Sequence, residues 1–250
     1  MAQIKTQALV LKSINWRETS KVTSLFTREI GRVDVIAKSS RILKSSFHGV
    51  LESLNHIECL ISVIPSRSLQ IISNATIIET FVNTRRDLDR ITYAFGMIEL
   101  IQFFFHEGES DPIFFDFLTT LLHQLNQAKN TQIIFWYFLI KLCSYLGFKP
   151  EFQNCFQCGK LINNSKVNFS ISEGRPVCST CINNYSNIIV IPKLDSQFLH
   201  KLQNTNHKKI SQVVMKNIVQ INIVQFLLDY LRFHTNENLN ISAFTFFKKG

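Results

Sequence analysis

A chain of 250 residues has room for one large domain or for two to three small ones. With 46% hydrophobic and 18% charged residues it can pack a core, which excludes a disordered tail. Its net charge of +9 sits at the ends: residues 1–80 carry +4 and 201–250 carry +5, around −1 over 81–150 and +1 over 151–200. Such asymmetry favours an anionic partner, because each phosphate neutralised by Lys or Arg releases condensed counterions. No apolar run approaches the ~18 residues needed to cross a bilayer, and the first twelve residues lack a signal-peptide pattern. The expectation is a cytoplasmic protein without membrane contact, whose six cysteines serve as thiols or metal ligands and not as disulfides.

Residues 1–80 hold five candidate strands. Ala8–Leu11 is a short apolar run, while Lys21–Phe26 and Arg32–Ala37 alternate apolar with polar residues, the period that buries one face of a sheet. Gly31 is placed to take a positive φ in the turn between them. Ile57–Val63 and Leu69–Ile72 complete the set across a turn at Pro65-Ser66-Arg67-Ser68. Five short strands suit a small closed barrel, and Lys or Arg at the polar positions and turns, with Trp16 and Phe47 near the loops, suit an oligonucleotide-binding (OB) fold. Phosphates want the cations and unstacked bases want a π-face. On charge alone, Lys12, Arg17, Lys21 and Arg32 are candidate DNA contacts.

From Thr84 the period becomes helical. Thr84-Arg85-Arg86-Asp87 resembles a capping box ahead of Leu88, Ile91, Phe95 and Ile98. Ser110-Asp111-Pro112 starts a second helix, and Asn130-Thr131 a third that stops at Gly147. These three make the first part of a helical domain over 81–150. Residues 191–250 supply the second part, with a short helix at Ser196–Leu202 and a long one from Ser211 to His234, entered beside Lys201, Lys208, Lys209 and Lys216. Lys248 and Lys249 add charge near the last residue.

Between the two helical parts, 151–190 carries Cys155-x₂-Cys158 and Cys178-x₂-Cys181, separated by nineteen residues. Two residues between cysteines form a knuckle that aims both sulfurs at one metal, and the spacing is that of a four-thiolate zinc site. Four thiolates close the tetrahedron and leave no place for water, so one structural Zn²⁺ is expected. No phosphate-binding glycine loop, G-x-G-x-x-G, H-E-x-x-H or G-x-S-x-G motif occurs, so the chain is expected not to be an enzyme.

The order Ala8-Leu9-Val10-Leu11, Arg17-Glu18-Thr19-Ser20, Leu25-Phe26-Thr27-Arg28-Glu29, Gly31-Arg32 and Ala37-Lys38 resembles the N-terminal domain of the RecO family of bacterial recombination mediators. Leu51-Glu52, Ile77-Ile78-Glu79-Thr80-Phe81, the cysteine quartet and Leu231-Arg232-Phe233-His234 extend the resemblance over nearly the whole chain. Two segments depart from the family. Asn15-Trp16-Arg17 stands where the family has a Gly-containing turn, and Lys38-Ser39-Ser40-Arg41 where it has Lys-Gly-Ala-Arg-Arg. The resemblance implies an α+β protein: an OB-fold barrel over 1–80, then an all-α domain interrupted by the Cys₄ zinc element. It also implies a nucleoid-associated role in recombinational repair, annealing complementary strands and, with RecR, loading recombinase onto DNA coated by single-stranded DNA-binding protein. Expected partners are single- and double-stranded DNA, RecR and the acidic tail of the single-stranded DNA-binding protein. The matching basic segment adds Lys38, Arg41 and Lys44 to the DNA contacts. The alternative is a zinc-ribbon and barrel module that binds RNA or an acidic protein.

Overall fold

The computed structural model describes residues 2–42, 44–215 and 219–244. The chain divides into two compact units, Met1–Gln127 with Ile241–Gly250, and Ala128–Asn240. This division falls between the second and third expected helices.

The first unit begins with five strands, β1 (Ala2–Trp16), β2 (Ser20–Thr27), β3 (Gly31–Ala37), β4 (His56–Val63) and β5 (Leu69–Glu79). They close into a barrel in the order β1-β2-β3-β5-β4. All five expected strands are present, and β1 and β5 run well past their expected ends. The N-terminal half of β1 pairs with β4 from Ala2–Val63 to Leu9–His56, and its C-terminal half pairs with β2. A register shift between Val10 and Lys12 lets one strand serve both neighbours. A parallel β3–β5 pair closes the ring. Inside lie Ala8, Val10, Leu25, Val35, Ala37, Ile57, Cys59 and Ile61, joined by Phe47, Val50 and Leu51 from the β3–β4 connection. Gly31 takes φ +70, as expected, and a Cβ there would lie 2.1 Å from the Glu109 carbonyl oxygen, so backbone fills the space of a side chain.

Helices α1 (Val82–Arg86), α2 (Leu88–Phe104) and α3 (Pro112–Gln127) follow in the same unit. The expected capping box is absent. Thr84 lies inside α1 and donates its N–H and hydroxyl to Asn126 Oδ1, while the cap of α2 is Asp87, whose carboxylate accepts from the Arg90 N–H. Asp111 caps α3 in the same way, accepting from the Phe114 N–H, with Pro112 in the first turn. One outer side of the barrel is sealed by these helices: Phe26, opposite Leu9 in the β1–β2 ladder, packs edge-on against Phe105 and Phe114.

The second unit holds α4 (Thr131–Tyr145), β6 (Lys166–Ser170), β7 (Arg175–Val177), β8 (Ile188–Pro192), α5 (Lys193–Gln203) and α6 (Ile223–Thr235). Eight consecutive residues of α4, Ile133–Ile140, are buried. The helix ends in a Schellman motif: Gly147 takes φ +90, and the Phe148 N–H reaches the Cys143 carbonyl at 2.8 Å. The cysteine element expected over 151–190 interrupts the helices, and it holds a three-stranded sheet, β7-β6-β8, for which the sequence reading named no strands. A correction concerns the long last helix. Residues 207–212 form a 3-10 turn, and α6 begins only at Ile223, capped by Asn222, whose side chain accepts from the Gln225 N–H. The buried Asp195 carboxylate takes the Gln220 and Ile221 N–H groups that a helix would have used. Lys216, Lys248 and Lys249 lie outside the described residues. No helix among the described residues is long and apolar enough to cross a membrane.

Candidate nucleic-acid interface and metal centre

Strand parity sorts the barrel's outer surface. Lys12, Ile14 and Trp16 alternate on one side of β1. Ile14 is opposite Val22, Val22 is opposite Ile36, and Ile36 is opposite Ile71, so one apolar row crosses four strands. Ile14 and Trp16 are 48% and 45% exposed, and among the described residues no helix of this unit covers them as α3 covers Phe26. An uncovered indole beside branched aliphatic side chains is a platform on which flat rings can stack.

The seven predicted DNA contacts do not share one situation. Lys12, Arg17, Lys38 and Lys44 are exposed and enter no ion pair among the described residues. Lys12 stands on the Trp16 side of β1. Arg17 occupies the β1–β2 turn at φ +51. Lys38 and Lys44 lie in the segment after β3. Arg41 ties that segment to the turn, its N–H bonding the Thr19 carbonyl at 2.9 Å and its Nη1 the Arg17 and Glu18 carbonyls at 3.2 and 3.0 Å. Lys21 has the opposite strand parity from Val22 and pairs with Glu52 at 2.8 Å. Arg32 is half-buried, its Nη1 donating to the Gln102 and Phe105 carbonyls where α2 ends. Its charge meets the negative end of a helix, which is a reason for an arginine there that needs no nucleic acid. Trp16 was flagged by its place near a loop, but the row it leads was not legible, because Ile14, Val22 and Ile36 meet only through strand register.

In the second unit the four predicted cysteines converge. One sulfur from each of Cys155, Cys158, Cys178 and Cys181 lies within 4.8 Å of all the others. Cys158 Sγ and Cys178 Sγ are 3.8 Å apart, the edge of a tetrahedron built on metal–sulfur bonds of about 2.3 Å. Knuckle geometry supports the set: Gly159 turns at φ +70 after the first pair, and the Cys178 N–H points at Cys155 Sγ at 3.4 Å. The Thr180 hydroxyl, 3.1 Å from Cys178 Sγ, holds that thiol down at about 6. Cys181 is pushed up to about 12, first by its bond to Cys178 and then by desolvation. Four sulfurs this close cannot all ionise by themselves, whereas a dication at their centre stabilises every thiolate at once. The donor set therefore fits one metal ion, closed on all four sides.

The first unit thus carries exposed lysine and arginine beside an uncovered apolar row edged by Trp16, and the second carries four cysteines that could hold one metal ion. Comparison with known families supplies the class. The family model for Recombination protein O N terminal matches residues 1–81, and that for Recombination protein O C terminal matches residues 85–242. The chain belongs to the RecO family. It is 27% identical over 240 residues to the DNA repair protein RecO of Desulforamulus reducens, covering 96% of this chain and 93% of that one. It is also 27% identical over 247 residues to the protein of the same name in Alkaliphilus metalliredigens, covering 98% and 99%. With that of Dehalococcoides mccartyi it shares 30% identity over 179 residues, 72% of this chain and 70% of the relative.

Proposed function

We propose that this chain is a non-enzymatic, DNA-binding mediator of recombinational repair, working in the cytoplasm at the nucleoid. The reading rests on the Ile14–Val22–Ile36–Ile71 row with Trp16 at its edge and Lys12, Arg17, Lys38 and Lys44 exposed on the same strands and loops. The strand order β1-β2-β3-β5-β4, with its parallel β3–β5 closure, supports an OB-fold, which holds single strands by stacking bases and neutralising phosphates. Curated relatives named DNA repair protein RecO support the repair role. Neutralising the backbones of two complementary strands lets them approach and search for register, so annealing follows from the same chemistry. Loading of recombinase with RecR, and capture of the acidic tail of single-stranded DNA-binding protein, complete the role that membership of the family suggests. The metal is proposed to be zinc, which would supply no chemistry beyond fixing the two knuckles of Cys155, Cys158, Cys178 and Cys181.

The test is annealing of complementary strands precoated with single-stranded DNA-binding protein, with and without its acidic tail. Acceleration that needs the tail supports the mediator reading. Acceleration on naked strands alone reduces it to a basic annealing protein, and no acceleration at low salt overturns it.

A further inference from the structure

Lys141 and Tyr145 stand four residues apart on α4, so their side chains share one face of that helix. Lys141 is half-buried, and its Nζ donates to the Gln203 carbonyl at 2.8 Å, where α5 ends. One turn earlier, the Tyr137 hydroxyl donates to the Thr205 carbonyl at 2.9 Å. These two bonds bring the end of α4 against the 3-10 turn His207–Gln212, which Asn206 caps by accepting from the Lys208 N–H.

The charges that meet there have one sign. Burial and then Lys149 hold the Lys141 ammonium below its ordinary range. Burial, Lys208 and Lys141, in that order, do the same to the His207 ring. Lys149, Lys208 and Lys209 are exposed and enter no ion pair among the described residues. The chain leaves little to offset them: residues 128–150 and 196–215 contain Lys129, Lys141, Lys149, Lys201, Lys208 and Lys209 and no Asp or Glu. The carboxylates that adjoin these segments are engaged elsewhere, Asp195 by the Gln220 and Ile221 N–H groups and Glu151 by Arg175 at 3.3 Å. The end of α5 accounts for Lys141. It does not account for three further lysines. Gathered like charges repel, and a cost of this kind is expected where a ligand supplies the opposite charge.

The neighbouring ring selects the ligand. Tyr145 is 46% exposed one turn beyond Lys141. A run of carboxylates would use the cations alone, whereas a single strand uses the cations for phosphates and the ring for a base. We propose that this face of the second unit is a second polynucleotide-binding surface, where Lys149, Lys208 and Lys209 neutralise the phosphates of a single strand and Tyr145 stacks one base. This rests on the DNA-binding reading above and adds to it a place for the complementary strand, so that each unit carries one half of the duplex to be formed.

The experiment counts hexathymidylate molecules bound per full chain at low salt by titration calorimetry. Wild type should bind two. The double variant Lys208→Glu, Lys209→Glu should bind one and should anneal naked complementary strands about tenfold more slowly. The reversal puts carboxylates where cations repel, so its thermal midpoint without DNA should not fall below wild type. Should it fall, Tyr145→Ala carries the test alone, weakening one of the two bound molecules about fivefold or more. Trp16→Ala should weaken the other and is the control for the barrel. If wild type binds one molecule and Trp16→Ala weakens it, or if the double variant and Tyr145→Ala both bind two as wild type does, the second surface is overturned and the barrel interface stands. If wild type binds none, both fall. If hexaglutamate binds wild type but not the double variant while both bind two oligonucleotides, the face takes an acidic protein and the proposal is overturned.

Discussion

Arg28 and Asp116 face each other through two parallel hydrogen bonds, Nε to Oδ1 at 2.9 Å and Nη2 to Oδ2 at 3.0 Å. The pair fastens the β2–β3 turn to α3 and holds the Asp116 carboxyl below its ordinary range, chiefly through the side-chain bond to Arg28. A carboxylate depressed in the folded state stabilises fully above its unfolded value of about 3.9 and stops doing so below its folded one. The thermal midpoint of Asp116→Asn should therefore sit below wild type by a constant gap above about pH 5. The gap should close as the pH falls below about 4. A gap that persists into acid would mean that the variant acts through packing and not through charge.

Arg32 and Lys38, both basic and both at the ends of β3, should part company on mutation. Arg32→Ala leaves the Gln102 and Phe105 carbonyls without their donor and should cost about 2 kcal/mol in urea unfolding. Its salt slope for DNA should stay as in wild type. Lys38→Ala, exposed and unpaired, should leave stability within about 0.5 kcal/mol and flatten the slope by about one unit.

Trp16 is 45% exposed and Trp136, the second of two tryptophans, is 7% exposed. Fluorescence that changes on adding single-stranded DNA should therefore report Trp16. Trp16→Phe should abolish the change and keep most of the affinity, while Trp16→Ala should lose about 1–3 kcal/mol of binding. A signal that survives Trp16→Phe would place the contact elsewhere.

The cysteine cluster predicts one metal ion per chain by elemental analysis, lost in Cys155→Ser or Cys181→Ser. Full metal content in both variants would remove the site. Metal affinity should fall as pH drops, since each ligand must shed its proton before it can bind. Chelation should lower the unfolding midpoint of the second unit more than that of the first.

Much of this was legible in the chain. Strands β2 and β3 followed from alternation, and Gly31 and Gly147 from their positions in turns. The four cysteines met as their spacing required. Arg32 shows what could not be read, since its partners are carbonyls seventy residues away and nothing in Gly31-Arg32-Val33 points to them. The helix expected from Ser211 failed for a similar reason. Its apolar spacing was helical, but buried Asp195 holds the Gln220 and Ile221 amides, and only from Asn222 does a local cap take over. Strands β6 to β8 were missed because runs of three to five residues carry too little pattern to stand out.

The return of the chain to the first unit has a consequence for its synthesis. Glu99, on α2, accepts hydrogen bonds from the Ser242 N–H and hydroxyl and from the Ala243 N–H. Those partners leave the ribosome only after the whole of Ala128–Asn240 has been made. The second unit is thus an insertion that can mature while the first is still waiting for its last piece. A nascent chain halted near residue 240 would carry all four cysteines but lack the Ser242 and Ala243 groups that donate to Glu99.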